Sequence, residues 1–225
     1  MTDQAPNVPP GGDLLVWQLV DSAFPTGGFA HSSGLEAAWQ HGEVRGRAEL
    51  VTFAEANLDQ LGNSSLPLVM AAWQAPAKLG ELDALCDVFL ANHVANRASR
   101  AQGRALQTAV ERIWNPEPNG GKAELPFGHY APVLGYCLGR LNVPRETVGR
   151  MFFSNQLRSL LAAAVRLNII GPMEAQILQH RLAPKLEAVW KACENLTPED
   201  LAQTSPLLEV WQGAQDRLYS RLFQS

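Results

Sequence analysis

Residues 93–114, HVANRASRAQGRALQTAVERIW, read as one long helix, and that reading sets the class of the whole chain. Val94, Ala98, Ala101, Ala105, Ala109 and Ile113 recur at the three-to-four-residue spacing that lines one helical face. Small side chains there let two helix axes approach closely. Gly103 costs about 1 kcal/mol against alanine in a helix interior, and tight packing is a reason for it to be there. The opposite face carries His93, Arg97, Arg100 and Arg104, a single basic stripe. It reads first as a solvated face and second as a docking face for an acidic partner, where exposed pairs add little affinity but steer association.

The helical period continues on both sides. Toward the C-terminus, residues 115–128 (NPEPNGGKAELPFG) are punctuated as a long surface loop. His129–Leu141 follows as a helix with Pro132 in its first turn. Pro144 then opens the longest apolar helix, with Val148, Met151, Phe152, Leu160, Ala163, Ala164 and Leu167 on one face. After the stop at Asn168–Pro172, a helix from Met173 to about Cys193 should kink or break at Pro184. Toward the N-terminus, helices cover Leu82–Leu90 and Leu66–Trp73, and another runs over Arg47–Leu61 until Gly62 stops it. Residues 1–12 are Pro/Gly-rich and polar, an expected disordered arm. Residues 13–225 are expected to form one all-α domain, a bundle of roughly ten helices without a sheet. No period-two alternation, hairpin dipeptide or G-x-G-x-x-G run opposes this.

Composition narrows the function. Of 225 residues, 46% are hydrophobic and 18% charged, enough apolar material for a sizeable core. A net charge of −4 argues against a general nucleic-acid binder. No apolar run approaches the roughly 20 residues that span a bilayer, and the N-terminus lacks the pattern of a secretory signal. The three cysteines, Cys86, Cys137 and Cys193, are odd in number and far apart, as expected of buried thiols in a reducing cytoplasm.

Two stretches do not fit a plain bundle. Asp21–Glu36, DSAFPTGGFAHSSGLE, is longer than most helix connections and carries Phe24 and Phe29, which a solvated loop would not expose. Its glycines and Pro25 imply a shaped, partly buried bend. Ser33-x-x-Glu36 has capping-box spacing, so the next helix is expected to start at Ser33. The second is the C-terminal stretch, read as a helix from Pro206 to within three residues of the end. Leu218, Tyr219, Leu222 and Phe223, beside Arg217 and Arg221, are too apolar for a frayed terminus. Either this segment folds back on its own body, or it orders in a partner's groove.

Catalytic motifs are missing. There is no P-loop, no G-x-S-x-G elbow, no Cys-x-x-Cys, and the five histidines form no H-x-x-x-H pair. Neither a metal site nor a cofactor site is expected. His31, Ser32 and Glu36 are adjacent in sequence, which is not how a nucleophile and its base usually meet. The residues alone leave open an all-α enzyme with a small-molecule pocket near His31, and more weakly a helical DNA-binding regulator.

Several motifs in order resemble the urease accessory protein UreF family: LVDSAFPTGGFAHSSGLEAA, RASRAQGRAL, HYAPVLG, AAVRLNIIGPMEAQ and the terminal LYSRLFQS. The resemblance implies an all-α homodimer without a catalytic site. It implies a scaffold that binds UreD (UreH in some systems) and recruits the GTPase UreG to apo-urease for nickel insertion, with an influence on GTP hydrolysis. By position it implies a GTPase-facing surface around Phe29, His31, Ser32, Glu36 and Arg221. It implies a UreD/UreH-facing tail of Arg217, Tyr219, Leu222 and Phe223.

Overall fold

The computed structural model describes residues 12–114 and 125–225; residues 1–11 of the expected 1–12 arm and 115–124 of the 115–128 loop lie outside them, and Gly12 opens the first helix. Ten α-helices and no strand are found among the described residues. They are α1 (Gly12–Val20), α2 (Leu35–Gln40), α3 (Arg47–Ser64), α4 (Leu66–Gln74), α5 (Leu79–Phe89), α6 (His93–Trp114), α7 (Tyr130–Arg140), α8 (Arg145–Arg166), α9 (Pro172–Cys193) and α10 (Pro206–Ala214). The all-α reading holds, and α6 has the bounds expected of it.

The core runs from Leu15 of α1 to Phe223 near the C-terminus. Its centre is α7, against which α4, α6 and α5 pack; α8 and α9 form a second pair, with α3 laid on α9. Helices approach this closely only where a side chain is missing. A Cβ on Gly135 of α7 would sit 2.0 Å from the Val69 carbonyl of α4. One on Gly103 would sit 2.2 Å from the Gly128 carbonyl at the entrance to α7. The helix-propensity cost of these glycines is therefore offset by backbone contact that no larger residue permits.

Three sequence expectations change. Gly62 does not stop α3, which runs on to Ser64; the missing side chain instead admits Val189 and Cys193 of α9. Pro184 does not break α9, a continuous helix from Pro172 to Cys193. Its ring lies on an exposed position, where water can satisfy the carbonyl that proline leaves unpaired. The last helix ends at Ala214 rather than near the terminus. A 3₁₀ turn over Gln215–Arg217 then hands the chain to an irregular segment, residues 218–225, with bends at 219–220 and 222–223. That tail returns to the bend of residues 21–36.

Candidate functional site: the junction of bend and tail

The bend is built from three backbone irregularities. Phe24 stacks on Trp114 of α6 with ring centroids 5.9 Å apart, which anchors its first half. Gly27 takes φ 73°, opening a 3₁₀ turn over Gly28–Ala30. Ser33 and Gly34 both have positive φ (55° and 86°), so the chain turns sharply into α2 at Leu35. Ser33 thus stands outside the helix and does not cap it, and the expected capping box does not form. The hydroxyl of Ser32 accepts the Glu36 amide at 3.4 Å. Gly34 has a second reason to lack a side chain: a Cβ there would meet the Gln212 backbone nitrogen of α10 at 2.9 Å.

Freed from capping, Glu36 turns toward the tail. The residue is 2% exposed, and its carboxylate accepts the Leu222 amide at 2.6 Å, the Phe223 amide at 3.1 Å and the Gln215 side-chain amide at 2.6 Å. Gln215 also donates to the Phe223 carbonyl at 3.2 Å. Past this anchor the tail pairs with the bend itself. Gln224 N–H donates to the Ala30 carbonyl at 2.8 Å, and Ser32 N–H to the Ser225 carbonyl at 2.5 Å. His31 Nδ1 lies 2.6 Å from the Ser225 hydroxyl. Burial, then the nearby Arg97 charge, lowers the His31 pKa from 6.5, which favours a neutral imidazole.

Two arginines tie this unit to the body. Arg166 of α8 donates to the Phe29 carbonyl and lays its guanidinium 4.3 Å above the Phe223 ring. Arg97 of α6 forks onto Asp216 with bonds of 3.2 and 2.9 Å, and His93 and Arg221 reach the same carboxylate. The Arg97 hydrogen bonds lead in lowering the Asp216 pKa. The basic stripe of α6 is therefore largely engaged within the chain. Its first half clamps the start of the tail, while Arg104 donates to the Phe127 carbonyl at 3.1 Å and Arg100 sits over the Phe127 ring.

The residues expected at partner surfaces divide into two groups. Phe29 is 75% exposed, Leu222 52% exposed, and Tyr219 and Arg217 lie open to solvent. Arg217 has no ion-pair partner among the described residues, whereas Arg221 is held by Asp216. Ser32, Glu36 and Phe223 are buried instead, because the tail covers them. In this chain they position the exposed members and do not themselves face outward. His31 is partly buried and bonded to a side chain, and Glu36 points to the tail and not to the imidazole. The adjacent His31, Ser32 and Glu36 thus make no relay.

A second polar knot was not legible in the sequence. Asp83 is fully buried and accepts the Phe127, Gly128 and His129 amides at 2.7–3.1 Å, satisfying the open N-terminus of α7. The buried His129 ring bridges Ser99 Oγ and Asp87 Oδ1, each at 3.1 Å. Ser99 Oγ also accepts the Tyr130 amide at 3.1 Å. The arrangement fastens α5 and α6 to the start of α7. Among the described residues no group of three or more His, Cys, Asp or Glu side chains is placed to hold a metal ion. No helix among them is long and apolar enough to cross a membrane.

Fold and site together define an all-α protein in which the bend and the C-terminal segment form one hydrogen-bonded unit. The model of the UreF family matches residues 44–183. Urease accessory protein F of Arabidopsis thaliana is 40% identical over 219 residues, covering 93% of this chain and 91% of that protein. The Oryza sativa subsp. indica protein of the same name is 37% identical over 216 residues (92% and 83%). Urease accessory protein UreF of Trichodesmium erythraeum is 28% identical over 222 residues (93% and 95%). The chain belongs to the UreF family of urease accessory proteins, which places its role in urease maturation.

Proposed function

We propose that this chain is a non-catalytic scaffold of urease maturation. It binds a UreD/UreH-type protein and recruits a UreG-type GTPase to apo-urease, where nickel is delivered. On this reading it works in the cytoplasm as a homodimer. One observation carries the proposal. The bend and the tail are hydrogen-bonded into a single unit that keeps Glu36 and Phe223 inside and leaves Phe29, Tyr219 and Leu222 in water. Apolar side chains held outward on an ordered backbone give a partner contact area at small entropic cost.

The test is co-expression with a UreD-like protein, a GTPase and apo-urease. A Tyr219→Ser, Leu222→Ser double variant should keep its helical circular dichroism and melting temperature while capturing at least tenfold less UreD-like protein. Phe29→Ala should reduce GTPase capture with UreD-like binding intact. Undiminished capture by both variants would refute the assignment.

A further inference from the structure

A cavity of about 160 Å³ lies beneath the bend, between it and helices α6 and α8. Gln102, Tyr130, Asn155, Gln156, Arg158 and Ser159 line it. None of these six side chains has a hydrogen-bond or ion-pair partner among the described residues, although all are only partly exposed. Their polar atoms stay open to water and are not committed to the protein, so the cavity is a polar-lined space able to take a small ligand.

The lining has a definite chemistry. Arg158 is a fixed cation with no carboxylate partner. Arg166, also at the wall, is already engaged by the Phe29 carbonyl and the Phe223 ring. The one acidic lining residue, Asp21, uses a carboxylate oxygen on the Ala23 amide at 2.7 Å. His31 at the edge is favoured neutral. The balance is positive, with hydroxyl and amide donors around it. Burial pushes the Tyr130 phenol up to about 12, so it stays a donor. A guanidinium surrounded by neutral donors suits a small oxyanion, which it binds by charge-assisted hydrogen bonds.

We propose that the cavity beneath the bend binds a free small oxyanion of the carboxylate or phosphate class, with Arg158 as its principal contact. This needs no partner protein and stands apart from the scaffold reading. The test uses the full chain and its thermal midpoint, with sodium phosphate and sodium acetate titrated against sodium chloride at matched ionic strength. The wild type should show a saturable rise with at least one oxyanion. Arg158→Met, which keeps the stem and removes the charge, should weaken the apparent affinity at least tenfold. Arg158→Lys should restore part of it. Gly28→Val, whose side chain would project toward Gln102 and Ser159, should weaken binding while Arg158 remains. Equal responses of wild type and Arg158→Met, or no oxyanion effect beyond chloride, would overturn the proposal. So would an Arg158→Met variant that loses a protein partner but shows no change with free anions, since Arg158 would then serve an acidic side chain of that partner.

Discussion

Glu36→Gln tests how the tail is held. The substitution keeps size and shape but replaces one acceptor oxygen by an NH₂ group. Both carboxylate oxygens are in use, one on the Leu222 amide and the other on the Phe223 amide and Gln215. Whichever way the new amide turns, a donor must face a donor. Each hydrogen bond to a charged group is worth about 1.5–3 kcal/mol, and a buried donor left unpaired costs about 1–3 kcal/mol. The clash and the lost charge together should weaken tail docking by roughly 3 kcal/mol. If the tail opens as a local unit, its amides should exchange with solvent about 100-fold faster. Native-state hydrogen exchange resolves this: Ser32, Leu222, Phe223 and Gln224 should lose protection, while α4 and α7 amides keep theirs. Unchanged exchange at 222–224 would refute the anchoring role. An equal loss across α4 and α7 would show instead that the tail unfolds only with the core.

Arg97→Met should accelerate the same tail amides by no more than about fivefold, because exposed ion pairs contribute about 0.2–1 kcal/mol; a Glu36-sized effect would mean the Asp216 clamp is the principal anchor. Gly135→Ala places a Cβ 2.0 Å from the Val69 carbonyl, a backbone atom that cannot swing aside. The gain of about 1 kcal/mol in helix propensity should be outweighed, and the melting temperature should fall. His31 and His129 both have pKa values lowered from 6.5, mainly by burial. The unfolded chain therefore binds more protons below that pH, and stability should decline as pH falls from 6.5 through the folded values. Chemical denaturation between pH 7.5 and 5 measures the slope, and His31→Gln should flatten part of it; an unchanged slope in that variant would show that His31 contributes none of it.

How much could be read in advance followed the range of the interactions. The three-to-four-residue stripes located α6, α7 and α8 closely, because burying one helical face is a demand that each segment expresses by itself. Local signals failed where a distant element competed for the same group. Gly62 looks like a terminator until α9 needs its missing side chain. Ser33-x-x-Glu36 has the spacing of a cap, but Glu36 binds amides 186 and 187 positions away. The stripe Arg97–Arg104 looks solvated because Asp216 and Phe127 lie far along the chain.

The family motifs and the helical period, both written in neighbouring residues, were enough to establish an all-α urease accessory protein with an unusual bend and an apolar tail. Tertiary structure alone decided that the tail leaves its helix at Ala214, bends back onto the 21–36 stretch and buries the carboxylate of Glu36. The reason is physical: a charged group removed from water takes whichever donors the folded chain brings to it, and sequence spacing does not record which those will be.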